Sequence, residues 1–160
     1  MTVLGIMGLL QWLENSSWAS AIRQSQWLYP ILEIVHITGI VLLTGAAILF
    51  DLRLLGFSKT VPITLLAHHL LSWSKRGLIL VVPSGLLLFI TNAKALGIDP
   101  VFWLKMSLIV LAGINALIFH KISFRKHDGS NESSAFMKLA GLLSIILWIS
   151  VITCGRLLAY

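Results

Sequence analysis

The sequence predicts an all-α integral membrane protein: a four-helix bundle preceded by an amphipathic segment at the membrane interface. Three observations predict it. Of 160 residues, 58% are hydrophobic and only 11% are charged, where a soluble domain carries about 25% charged residues. Mean hydropathy is +0.93. Four long apolar runs follow one another, each long enough to cross a bilayer core at about 1.5 Å rise per residue. The net charge of +6 comes from basic residues beside those runs, which fits topology and lipid headgroups, with no nucleic-acid partner expected.

The elements follow in order. Residues 1–26 form the interfacial segment, one or two helices on the membrane surface. Val3, Ile6, Met7, Leu10 and Leu13 recur at helical spacing, with Gln11 and Glu14 between them. No basic n-region or cleavage site points to a signal peptide. Ser16 or Ser17 is a candidate cap for a short second helix carrying Trp18, Ile22 and Trp27. Residues 27–160 form the transmembrane domain. Its first helix runs from about Trp27 to Leu55, with Pro30 tolerated in the first turn. A polar link from Asp51 to Thr64 overlaps its end. The second helix runs from Pro62 or Thr64 to Asn92, with Pro83 inside it and Ser84 placed to satisfy freed backbone. Lys94 to Pro100 reads as a tight loop. The third helix spans about Pro100–Phe124, Lys121 to Ser134 reads as a polar loop, and the fourth helix spans about Ala135–Tyr160.

Lysine and arginine counts set the expected orientation. Arg53, Lys59, Lys75, Arg76, Lys121, Arg125, Lys126 and Lys138 fall on one side, and Arg23, Lys94, Lys105 and Arg156 on the other. The positive-inside rule then puts the 51–64 and 121–134 loops in the cytoplasm and both termini outside, in a bacterial inner membrane. Partners are the lipid bilayer and, from glycine and tryptophan on several faces, a homo-oligomer or a larger membrane complex. The single cysteine, Cys154, excludes an internal disulfide and a multi-cysteine metal site, and is expected to pack in an apolar segment.

Histidine carries the functional signal. His36 is the one ionisable residue between Ile34 and Phe50, with Glu33 one turn before it, and an ionisable group inside a span is costly enough to mark a site. His68, His69 and His120 lie in or beside spans, whereas His127 falls in a loop. Neutral imidazole ligates haem iron, and bundles hold cofactors between facing helices. Candidate ligands are His36, His69 and His120. Candidate propionate partners are Arg76 and Arg156, with Lys75 beside them. Gly39, Gly77, Gly85 and Gly113 are candidate small residues for a flat cofactor, and Gly113 shares a face with His120. Without a CxxCH motif the haem is non-covalent haem b. By rise along the helices, His69 and His120 are closer in depth to each other than to His36, which belongs to an outer site.

The expected activity is that of a membrane b-type haem protein, cytochrome b-like, passing electrons within or across the membrane. Other readings stand beside it. Glu33 and His36 also suit a cofactor-free transporter that handles protons or copper. A structural subunit and an oxidase of a porphyrinogen or quinol are further alternatives. His36 also reads as a hydrogen-bonded packing residue, Glu33 as a headgroup-level residue, and Arg156 as a snorkelling one. No nucleophile–base pair, phosphate loop or carboxylate pair suggests hydrolysis.

The segment YPILEIVHITGIVLLTGAAILFDLRLLG, with SGLLLF, FWLKMSLIVLAGINALIFH and GRLLAY, resembles a family of small, uncharacterised bacterial four-helix membrane proteins over residues 27–160. The layout is also similar, more distantly, to the membrane parts of copper-resistance D-type proteins and of small membrane protoporphyrinogen IX oxidases. That likeness implies four helices and b-type haem. A first-helix histidine and a third-helix lysine followed by a histidine are matched approximately by His36, Lys105 and His120. His68 and His69 have no counterpart in it.

Overall fold

In the computed structural model, residues 3–57, 63–125 and 132–158 are described. They form seven α-helices: α1 Val3–Glu14, α2 Ser17–Gln24, α3 Leu28–Leu54, α4 Ile63–Thr91, α5 Ala93–Ile98, α6 Pro100–Arg125 and α7 Glu132–Leu157. No strand occurs among the described residues. The chain is all-α. Stretches of α3, α4, α6 and α7 are long and apolar enough to cross a membrane: Leu28–Leu54, Leu66–Thr91, Pro100–Phe119 and Ala135–Leu157. α3, at 27 residues, measures about 40 Å against a hydrocarbon core of about 30 Å. It therefore tilts or extends beyond the core.

Two compact units make up the chain. The first comprises Met1–Leu43 and Lys75–Pro100, and the second Thr44–Ser74 and Val101–Tyr160.

Within the first unit, α3 and α4 touch backbone to backbone. A Cβ at Gly77 would lie 2.6 Å from Leu43 N and 2.8 Å from Gly39 O. A Cβ at Gly39 would lie 2.9 Å from both Val81 N and Val81 Cγ2. Small residues permit this approach, and in lipid it is the dispersion contact between helices that such an approach gains. The two glycines are thus taken up by helix packing. α1 packs on α2 and α5. The Leu10 side chain covers Gly97, where a Cβ would come within 2.6 Å of Leu10 Cδ1.

Ser16 caps α2, its Oγ accepting from Ala19 N at 3.3 Å. Arg23, in the last turn of α2, clamps two helix ends: Nη1 donates to Thr91 O at 3.0 Å and Nη2 to Glu14 O at 2.6 Å. Both acceptors belong to the last turn of a helix, where carbonyls lack an intrahelical donor. Glu14 answers by accepting from Lys94 N through Oε2 at 2.8 Å.

Within the second unit, Asn115 Nδ2 on α6 donates to Ala140 O on α7 at 3.1 Å. Phe50 of α3 meets Phe119 of α6 edge to face, with centroids 5.7 Å apart. Cys154 is buried, as its apolar segment suggested.

Three boundaries differ from the sequence reading, for one physical reason. Asp51 lies inside α3 and is buried, not in a link. The helix ends three residues on, at Leu54, and the chain turns at Gly56, whose φ of 105° suits glycine. Gly56 N donates to Arg53 O at 3.2 Å and Phe57 N to Leu52 O at 3.0 Å, a Schellman closure. Lys121–Arg125 and Glu132 onward are helical rather than loop, and residues 126–131 of that expected loop lie outside the described residues. Likewise Lys94–Ile98 belongs to α5, since the run AKALGI is rich in good helix formers. A charge at the edge of a span marks where hydrocarbon ends, and the backbone helix continues past it.

Two outcomes test this packing. Gly77→Ala is expected to cost about 1–3 kcal/mol, because backbone atoms cannot yield to the new methyl. Gly45→Ala, with nothing within 4 Å of its Cβ position, is expected to be neutral or mildly stabilising. Thermal unfolding in mild detergent measures both. Arg23→Ala is expected to speed amide hydrogen exchange in α1 and α2 and leave α7 unchanged.

Candidate functional site

The site is built on the α3–α4 contact of the first unit. Glycine at position 85 leaves room for a flat ring on the α4 surface, and His36 fills it. A Cβ at Gly85 would lie 2.9 Å from His36 Cε1 and 3.4 Å from Nδ1. One residue earlier, Ser84 Oγ stands 3.0 Å from His36 Nδ1. Ser84 is buried, and His36 is half-buried.

The hydrogen-bond chain assigns the imidazole tautomer. The Ser84 hydroxyl has one hydrogen, and it goes to Leu80 O at 2.5 Å, with Val81 O at 3.3 Å beside it. Its oxygen is then placed to accept from His36 Nδ1, the arrangement in which that nitrogen is the protonated one. Pro83 removes the donor for Ile79 O, yet the serine hydroxyl goes to Leu80 O instead. Its task is orienting His36, and the sequence reading missed that. The signal was present: a serine beside a glycine on the helix facing a histidine-bearing span.

The other sequence-predicted residues are dispersed. Arg76 lies in the first unit with His36 and is exposed. His69, Gly113, His120 and Arg156 belong to the second unit. His69 is exposed and meets His68 edge to face, with ring centroids 6.0 Å apart. Arg156 is exposed in the last turn of α7. The surface over Gly113 is open, with nothing within 4 Å of its Cβ position. His120 is helical in α6, and its side chain lies outside the described residues. Glu33 is exposed. Among the described residues no group of three His, Cys, Asp or Glu side chains gathers to hold a metal ion.

One polar pairing in the second unit was not foreseen. Lys105 of α6 is half-buried against the end of α7, its Nζ 3.6 Å from the Cβ position of Gly155, beside Cys154.

Comparison with curated proteins and with solved structures gives no match. Comparison with family models does give one, spanning residues 10–160 and so including all four spans and α2. It accords with the resemblance to an uncharacterised membrane family and says nothing of copper resistance or porphyrinogen oxidation. On that match the chain belongs to a family of unknown function, DUF6644.

Proposed function

We propose that this protein is a membrane haem b protein that carries electrons within or across the bilayer, with His36 as a residue that would hold the haem iron. The observation that carries this reading is the His36–Ser84–Leu80 hydrogen-bond chain. Metal-ligating histidines characteristically donate their other ring N–H to a fixed acceptor, which sets tautomer and ring orientation and raises ligand basicity. Ser84 is placed to do this from a helix, and the bare Gly85 makes room for the ring against α4. These residues fit an axial ligand's requirements.

A bound haem b supplies reversible one-electron chemistry at iron. The chain's own tasks are to hold the imidazole, to exclude water with apolar helices, and to balance propionate charge. His69 and His120, both in the second unit, are the residues that would hold a second haem. Arg76 and Arg156 are the proposed propionate partners, and Gly113 offers a surface without a side chain. We further place the protein in the bacterial inner membrane, both termini outside, as a homo-oligomer or a subunit of a larger complex. The lysine and arginine asymmetry and the open Gly113 surface support this.

A reduced-minus-oxidised spectrum tests the assignment. Protein purified from haem-replete cells is expected to show a sharp b-type α-band. His36→Ala removes or shifts it, whereas His127→Ala leaves it alone. Ser84→Ala weakens haem affinity by about 10–100-fold, the usual cost of losing an outer-shell partner. A colourless wild type overturns the haem reading and leaves His36 as a packing or proton-handling residue. Orientation is tested by cysteines placed at Ser16 and Ser130 in a Cys154→Ser background. Membrane-impermeant labelling is expected at position 16 and not at position 130 from the periplasmic side.

A further inference from the structure

Asp51 sits in the last turn of α3, in the second unit, and is only 6% exposed. The Ser144 side chain on α7 lies near its carboxyl group and is itself buried. The carboxyl oxygen Oδ2 has no hydrogen-bond partner among the described residues. α7 closes over it at a glycine: a Cβ at Gly141 would lie 3.3 Å from Asp51 O and 3.5 Å from Leu54 Cβ.

Burying an ionised oxygen without a donor is among the costliest arrangements in a protein. The location adds to the cost, because the C-terminal end of a helix carries partial negative charge. One unit of positive charge on Oδ2 removes both penalties. Among the described residues no charged or titratable group bonds Oδ2. Arg53 on α3 is half-buried, and Lys121 on α6 and Lys138 on α7 are exposed, as are His68 and His69 on α4. The side chains of His120 and Glu132 lie outside the described residues.

We propose that Asp51 and Ser144 form an exchangeable site for a small monovalent cation, a proton or a sodium ion, bound at Asp51 Oδ2. A proton adds directly to the bare carboxylate oxygen and leaves the acid neutral. A sodium ion takes the same oxygen, with the Ser144 hydroxyl as a second ligand. The site shares no residue with His36, so its failure and the failure of the haem reading are separate outcomes.

The full-length protein in mild detergent tests it through linkage, since a ligand that binds the folded state raises the melting temperature. Melting is followed against pH, and against sodium chloride with choline chloride as control, for wild type and Asp51→Asn. With a proton bound, the folded state holds more protons than the unfolded state. Wild-type stability then falls as pH rises, and lipid-soluble carbodiimide labels Asp51 whether or not sodium is present. With sodium bound, sodium chloride alone raises the melting temperature and suppresses labelling saturably. Either dependence is lost in Asp51→Asn, which matches the shape of the neutral acid. Identical pH and sodium profiles in wild type and variant overturn the proposal. If Asp51→Asn does not fold, the wild type decides: no labelling of Asp51 at any pH in sodium-free buffer overturns it.

Discussion

The contact between Gly39 and Gly77 is the constraint on which the first unit depends. With 2.6 Å from a Gly77 Cβ position to Leu43 N, neither position accepts a side chain without moving backbone. That contact brings the α3 face carrying His36 onto the α4 face carrying Ser84 and Gly85. The spacing is regular: Gly77, Val81, Ser84 and Gly85 recur at three- and four-residue steps along α4, and His36, Gly39 and Leu43 along α3. One helix-packing surface thus positions a histidine as a by-product of close approach. A larger residue at 39 or 77 would separate the helices and lengthen the 3.0 Å bond between His36 and Ser84.

Lipid explains why small residues matter so much. Exposed large side chains such as Ile34, Ile37, Val41, Ile79, Leu86 and Leu117 cover the spans. In water they would drive aggregation; in a bilayer they are at home, and their burial between helices gains little. Stability then rests on dispersion at glycine contacts and on polar bonds such as Asn115 to Ala140 O. Many buried groups are small, among them Ala46, Ala93, Ala112, Ala140, Ser84, Thr91 and Ser144, beside the larger Leu10, Ile22, Leu54, Leu147 and Val151. Many large apolar groups turn outward, where a soluble core would draw them in.

Much of the fold was legible in the sequence because hydrocarbon imposes a blunt requirement. Every backbone polar group must be satisfied within the segment, so a long apolar run can only be a helix. The capped α2 at Ser16 followed from local chemistry in the same way. Helix ends were less legible. Asp51 and Lys121 were read into both a helix and the adjoining link, and Lys94 into a loop alone, yet each sits within a helix. Charge reports where the solvent changes, and nothing about lost hydrogen bonding. At the site, His36 stood out because a lone imidazole in an apolar run is conspicuous. Ser84 did not, because a serine in a span ordinarily bonds its own helix, as Thr38, Ser107 and Ser150 do here. Ser84 does that too, and only its second interaction, across helices, distinguishes it.

The same distinction separates Asp51 from Glu33. Both are carboxylates on α3, and composition alone treats them alike. Glu33 is exposed, where headgroups and water can solvate it. Asp51 lies under the Gly141 backbone near Ser144, and its Oδ2 has no hydrogen-bond partner among the described residues. A hydrophobic residue of similar volume would pack there without electrostatic cost, so an acid at 51 is not explained by packing. Nor is it explained as a helix end signal, since acids favour the N-terminal turn and Asp51 is in the C-terminal one. What remains is chemistry that needs an ionisable oxygen in a sealed place, and that separates the role proposed for the second unit from the one proposed for His36 in the first.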